Sequence, residues 1–523
     1  MEADDKEDKY HRYRYRDPSA PRNEQNAPSI WFSKRFNITV LLFMGYLMHG
    51  IIFQVTGISL ADMTTDRVIV NQTNNMTIIK PSDFQWDLKT EEIILSMFWI
   101  GFLFSICGGF VAQKYGGART LGISMMLTGI ILAMNPICAR IHCYLFALFQ
   151  IVTGILQGLF LVSTAEIFAH WMPMRERTVL MSFAINGIYV AAVVMHRFFS
   201  SLAYNWQWTM NFYVSGIVCF VWSIIWLNYV ENEPMKDKRI SEKEFEYIWQ
   251  EPETLLRKRQ YILPYMDILL SPSCWALFFC EFAFGWASVY TLTYLPLNYI
   301  KDVTNEQTTL EINGVYFILL ILDIVSIFTV PITGILINFW LNSDDRISFR
   351  TELHIISVMY IVVGFSFVAL ALLITVTTHF SPPVSYLLAI KPLLPYCQII
   401  LQMIPVHMAP NHSSLLSGFA VFWQTVGILC AQTFIKRTVQ DHRLEDWYIC
   451  FQLSAAILAS SALIFMCFGS SKPQPWSSIP RSPDKREIHR EESKELVVLS
   501  KKTNLSTTES SNKKYEEELT ELS

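Results

Sequence analysis

Charge is what this chain has least of. Only 16% of its 523 residues are Asp, Glu, Lys or Arg, against about a quarter in an average soluble domain. That charge crowds into residues 1–36, 231–260 and 472–523, with long apolar runs between. The pattern excludes a string of soluble domains. The net charge of −4 offers no basic face for nucleic acid. Catalytic signatures are missing as well. There is no Gly-rich phosphate loop with its Lys-Ser/Thr, no paired Cys-x-x-Cys, no His-Glu-x-x-His and no nucleophile elbow. The expectation is no enzyme, no cofactor and no metal. The ten cysteines mostly sit inside apolar runs, as Cys107, Cys219, Cys280 and Cys430 do, and read as small packing residues. Cys138 and Cys143 bracket a short loop, where a disulfide is one option.

What is present is hydrophobic sequence, 52% of the chain. Runs of roughly 20 residues, long enough for a ~30 Å hydrocarbon core, fall near 38–61, 91–112, 120–138, 144–168, 178–202, 210–230, 273–299, 312–340, 352–377, 383–405, 414–435 and 448–469. The expected fold is therefore an all-α membrane protein of twelve transmembrane helices in two six-helix pseudo-repeats. Residues 1–36 form an N-terminal tail, 37–230 the first bundle, 231–272 a polar linker, 273–470 the second bundle and 471–523 a charged, disordered tail. The polar start, MEADDKEDKYHRYRYRDP, carries no cleavable signal, so the first apolar run is expected to insert itself. Basic residues precede the first span and follow the second, fourth and sixth, while loops after odd spans are poorer in them, so both termini are expected in the cytosol. Lys436 and Arg437, after the eleventh span, go against that trend. The sequons at Asn71 and Asn75 lie in the loop after the first span, on the opposite side, and are candidate glycosylation sites.

One apolar run carries a polar stripe. In QIVTGILQGLFLVST, Gln150, Thr153, Gln157 and Thr164 fall at offsets that place them within about 60° of one another on a helix. Such a stripe is expected to face the centre of the protein rather than lipid, and none of its members is charged. Ionisable residues at membrane depth are few: His49 in the first span, Glu281 in the seventh, Asp323 in the eighth and Lys391 in the tenth. Each costs roughly 2.5–3.5 kcal/mol on insertion scales and should face protein or water. Asp323 and Lys391 read either as a structural ion pair or as a substrate or ion site. Glu281 reads equally as function or structure, and His49 as a hydrogen-bonded packing residue or a functional one.

The loop after the second span, GGFVAQKYGGART (residues 108–120), resembles the signature of the major facilitator superfamily. In that signature an aspartate usually stands where Gln113 is here. Further stretches resemble its anion/cation symporter family, to which vesicular glutamate transporters, sialin and sodium–phosphate-cotransporter-like proteins belong. They are FQWDLKTEEIILSMFWIGF (84–102), QGLFLVSTAEIFAHWMPMRERTVL (157–180), NWQW (205–208), NEPMKDKRISEKEFEYI (232–248), DILLSPSCWAL (267–277), MAPNHSSLLSGFAVFWQTVG (408–427) and EDWYICF (445–451). The resemblance covers about residues 36–470. It implies alternating access about a central site, with a latch loop at Gly109, Lys114, Gly116 and Arg119, joined by Glu176 and Arg177 of the Trp-x-Pro-x-x-Glu-Arg turn. The implied substrate is a small organic anion or inorganic phosphate, moved with H⁺ or Na⁺ across a plasma, lysosomal or vesicular membrane.

Carried over by position, the family's functional charges land on uncharged residues. Its helix-four arginine and glutamates correspond to Gln150, Thr153 and Gln157, and its helix-one arginine to Phe53 or Gln54. Tyr290 stands one position from an aromatic that relatives use in the seventh helix. The substrate pathway is thus expected at Gln54, Gln150, Thr153, Gln157 and Tyr290, with His49, Glu281, Asp323 and Lys391 as charge or coupling candidates. Two alternatives stay open: an uncoupled facilitator of a neutral or zwitterionic solute, and a sensor or scaffold that has lost transport.

Overall fold

The computed structural model describes residues 29–31, 33–71, 76–249, 264–289, 309–341, 394–439, 444–470 and 472–478. The chain begins with α1 (Lys34–Thr64), which starts where the Ser33 hydroxyl accepts the Phe36 N–H at 3.2 Å. After it a short antiparallel hairpin pairs β1 (Arg67–Asn71) with β2 (Met76–Lys80), Arg67 opposite Lys80. Next come α2 (Leu88–Phe102), capped by the Asp87 carboxylate on the Thr90 N–H, and α3 (Ser105–Tyr115). They are followed by α4 (Gly117–Ile141) and α5 (Cys143–Trp171). Then α6 (Met174–Ile185), α7 (Gly187–Val194) and α8 (Ser200–Asn205) form one broken span, and α9 (Trp208–Tyr229) follows.

Beyond them lie α10 (Glu242–Trp249), α11 (Tyr265–Leu270), α12 (Pro272–Val289), α13 (Thr309–Leu341), α14 (Leu394–Met408), α15 (Ser413–Thr438), α16 (Leu444–Phe468) and α17 (Pro475–Ser478). Among the described residues, eight helices are long and apolar enough to cross a membrane, or nine if α2 and α3 count as one bent span. The expected ninth span, 352–377, lies outside the described residues, as do the first part of the tenth and the end of the seventh.

Two expected spans are not continuous. The run 91–112 is broken between α2 and α3 by a 41° bend. The run 178–202 is interrupted at Asn186 and widens into a π-turn at Met195–Phe199. The first bend follows a close approach: a Cβ on Gly101 would stand 2.9 Å from Gly154 Cα and 2.9 Å from Ile155 N on α5. Removing side chains at such a crossing lets backbones touch, which is how helices associate where no hydrophobic drive exists between them. Cys138 and Cys143 are free, so the optional disulfide is absent.

Outer faces follow the helical period. On α4 the exposed large side chains are Ile123, Leu127, Ile130, Met134, Ile137 and Ile141, a stripe of spacing three or four suited to lipid. Inside, α5 is the central helix, packed on α2, α3 and α4 and touching α15. Residues 34–230 meet the later helices along α3 with α15, α6 and α7 with α13, and α5 with α14. These seams position the site.

Candidate functional site

The polar stripe of α5 is buried and largely satisfied within residues 34–230. Gln157 Oε1 stands 2.7 Å from His49 Nδ1 on α1, and its amide nitrogen donates to Thr128 Oγ1 on α4 at 3.1 Å. The His49 ring also stacks on Phe160, with centroids 5.5 Å apart. Thr56 on α1 donates to Gln150 Oε1 at 3.2 Å, while Gln150 Nε2 has no hydrogen-bond partner among the described residues. Thr153 Oγ1 returns to the Phe149 carbonyl of its own helix. Gln54 likewise donates to the Gly50 carbonyl on α1, at 3.4 Å. Phe53 is part-exposed against Phe98 and Trp99.

Thr164, the last member of the stripe, does something different. It meets the Tyr46 hydroxyl at 2.8 Å and lines a cavity of about 20 Å³ between the earlier and later helices, room for about one water. From α5, α1 and α6 the walls are Thr164, Ala165, Phe168, Tyr46 and Met181. From α12, α14 and α15 they are Glu281, Gln402, Pro405, Ser417, Ala420, Val421 and Gln424. Two carboxamides, a carboxyl and three hydroxyls thus converge on one small space. Of the charge and pathway candidates among the described residues, only Glu281 lies there. Asp323 on α13 is buried elsewhere and is not part of this lining. Tyr290 and Lys391 lie outside the described residues.

Gln402, Ser417 and Gln424 were not singled out in the sequence. Yet Ser417 and Gln424 sit seven apart on one apolar helix, and Gln398 and Gln402 four apart on another. The spacing rule applied to α5 would have found them. Gln398 accepts a hydrogen bond from Tyr189 of α7, a second polar link across the same seam.

One end of this seam is sealed where α3 crosses α15. A Cβ on Gly109 would stand 2.8 Å from the Ser414 carbonyl and 2.9 Å from Leu415 Cα. Ser105 Oγ donates to the Gly418 carbonyl at 3.1 Å, and Ser414 Oγ to the Gly109 carbonyl at 3.4 Å. Gln113 Nε2 lies beside His412 Nδ1 at 2.5 Å. Arg177 is buried, donates to the Met172 carbonyl at the end of α5 and faces His407 of α14 at 3.4 Å. Small residues, hydroxyl-to-carbonyl hydrogen bonds and the buried Arg177 thus meet at this seal.

Gly116 ends α3 and opens α4 at φ 95°, a left-handed conformation that a Cβ would strain. The Asn232 side chain fills the space a Cβ would need and accepts the Arg119 N–H at 3.2 Å. Lys114 and Arg119 point to solvent, Lys114 beside the Tyr115 ring. The Asn71 position closes β1, and Asn75 lies outside the described residues.

A charged cluster at the start of α1 was not legible beforehand. Arg35, fully buried, pairs through Nε with Glu176 at 2.8 Å. Glu244 of α10 accepts the backbone N–H groups of both Lys34 and Arg35, at 3.0 and 2.9 Å. Lys34 Nζ reaches Asp237 at 2.8 Å. A carboxylate at free helix N–H groups satisfies orphan donors and meets the positive end of the helix dipole. The linker is thereby anchored to the first helix by ionic contacts as well as lying at its end.

Comparison with known proteins gives this geometry a family context. The sequence model described as "Major Facilitator Superfamily" matches residues 42–432. Sialin of Homo sapiens is 24% identical over 483 residues, spanning 88% of this chain and 94% of sialin. Vesicular glutamate transporter 2 of Mus musculus is 24% identical over 452 residues, spanning 85% of this chain and 75% of that protein. Among solved structures, the proton:xylose symporter XylE superposes with a TM-score of 0.61 at 14% identity, covering 84% of this chain and 97% of XylE. The E. coli fucose:proton symporter FucP superposes with a TM-score of 0.58 at 10% identity, covering 82% and 98%. At those identities the two structures speak for the fold alone.

Proposed function

The chain belongs to the Major Facilitator Superfamily, a multi-pass membrane protein, and from that premise we propose that it is a secondary active transporter for a small organic anion or inorganic phosphate. The observation that carries this reading is the cavity built jointly by Tyr46 and Thr164 on one side and by Glu281, Gln402 and Gln424 on the other. A site shared by two helix groups that are sealed at one end is what alternating access requires. The anion class rests on likeness to proteins named for sialic acid and glutamate. Coupling to H⁺ or Na⁺ is part of the proposal, as are the two six-helix bundles at 37–230 and 273–470 and the cytosolic placement of both termini. The same holds for glycosylation at Asn71 and Asn75 and for residence in a plasma, lysosomal or vesicular membrane.

The test is uptake by the purified protein in proteoliposomes. Labelled sialic acid, glutamate, urate and phosphate are offered singly under imposed pH, Na⁺ and voltage gradients. Accumulation above equilibrium under one cation gradient supports the proposal, and failure to carry any of the four anions removes it. A second reading, an uncoupled facilitator for a neutral or zwitterionic solute, is favoured by the lack of a cation among the cavity's described residues. Its mark is equilibration that is indifferent to every gradient.

A further inference from the structure

Glu281 is the one acidic side chain in the cavity lining, and it is 5% exposed. No hydrogen bond or ion pair joins its carboxyl to another described residue. A buried carboxylate stripped of water and left without a counter-ion is among the least tolerable arrangements in a protein, whereas a protonated carboxyl is neutral and can donate. Around it stand Gln402, Ser417 and Gln424, neutral groups that can serve either form. The other titratable group on the wall is the Tyr46 hydroxyl of α1, already engaged with Thr164. The described helices packed against α12, namely α11 with Tyr265 and Asp267, α14, α15 and α16, add no charged or titratable residue to the lining. Cys280 on α12 and Cys397 on α14 lie close by but outside it.

We propose that Glu281 carries the coupling proton. Its carboxyl holds the proton while the cavity takes the anion and releases it to water on the other side once the seal has changed ends. The step is a plain proton transfer: an O–H bond forms on the carboxyl when the cavity opens to water at one face of the membrane, and it breaks to water at the other. This deepens the transport reading above and rests on it. The coupling follows from electrostatics alone. An anion placed about 4 Å from a carboxylate at protein-like dielectric binds about a thousandfold more weakly than beside the neutral acid. By linkage, bound anion then favours the proton by the same factor. No cationic side chain of the described lining could offset that repulsion.

The first readout needs no substrate, because the probe is the proton. Full-length protein is purified into lipid nanodiscs, and infrared difference spectra are recorded across pH with and without ¹³C-glutamate labelling. The expected result is a protonated-carboxyl C=O stretch near neutral pH that shifts on ¹³C-glutamate labelling and disappears in Glu281→Gln. An unlabelled-type band that ignores glutamate labelling in the natural protein overturns the proposal even if the variant does not fold, and so does a band that persists in Glu281→Gln. The second readout is transport of whichever of sialic acid, glutamate, urate or phosphate the natural protein carries. Glu281→Gln is expected to lose at least tenfold in pH-driven accumulation, and whatever uptake remains is expected to be indifferent to pH. Undiminished pH-driven accumulation overturns the proposal and leaves the transport reading standing. Absence of all transport together with an intact Glu281 band removes the transport reading and with it the coupling role.

Discussion

Gln157 and His49 are bonded to each other across the α5–α1 interface, Oε1 to Nδ1 at 2.7 Å. With the amide nitrogen of the same glutamine on Thr128, a single carboxamide joins three helices. A carboxamide suits this place because it accepts and donates at once. A glutamate there would face an imidazole and a hydroxyl with no fixed cation. The α5 carboxamide thus matches the imidazole of α1 and the hydroxyl of α4 as hydrogen-bonding partners.

Removing that link should loosen the first helix group. Gln157→Ala leaves His49 and Thr128 each short of a buried partner, worth about 1–3 kcal/mol. A melting temperature lowered by several degrees in detergent is the expected outcome, and an unchanged one would show that the bond carries no stability.

Close helix approach makes a sharper forecast. A Cβ on Gly154 would run into the Phe98 carbonyl of α2, whereas Gly57 has open space around it. Gly154→Val should abolish the monodisperse peak in fluorescence-detected gel filtration. Gly57→Ala should leave it as it is.

The cluster at the start of α1 should outweigh any surface pair. Arg35→Ala strands Glu176 and Glu244 without their cation, and breaking a buried pair costs about 3–5 kcal/mol. The Glu92–Lys436 pair is 3.0 Å long but part-exposed on both sides, so Lys436→Ala should cost about 0–1 kcal/mol. Thermal unfolding of the two variants side by side separates these cases; equal losses would deny Arg35 its structural role.

At the seal, Gly418 faces Ser105: an added Cβ would stand 2.9 Å from the Ser105 carbonyl. Gly418→Val should push α3 and α15 apart. The measurement is the rate at which a membrane-impermeant maleimide labels Ser414→Cys with and without that substitution. A severalfold faster rate is expected, and an equal rate would mean that the crossing tolerates the side chain.

Much of this was readable before any coordinates. Apolar run length, the avoidance of charge and the spacing of Gln150, Thr153, Gln157 and Thr164 on one helical face are local quantities. They depend on nothing beyond a turn or two of chain. The loop glycines were named through a family resemblance, and that Gly116 ends one helix and starts the next at a positive φ came only with the structure. Where local reasoning failed, it failed at partners. The stripe was expected to face the centre, yet three of its four members are engaged inside residues 34–230 and only Thr164 reaches the shared cavity.

The chain alone thus decided that it lives in a membrane, how its helices are spaced and which helices carry polar faces. Which polar groups meet was decided only by the tertiary arrangement. Glu244 caps Lys34 across 210 positions, and Glu281 shares a cavity with Tyr46 across the junction of two helix groups. Pairing over such separations follows from how helices cross and rotate when small residues let them touch, and no local period records that rotation.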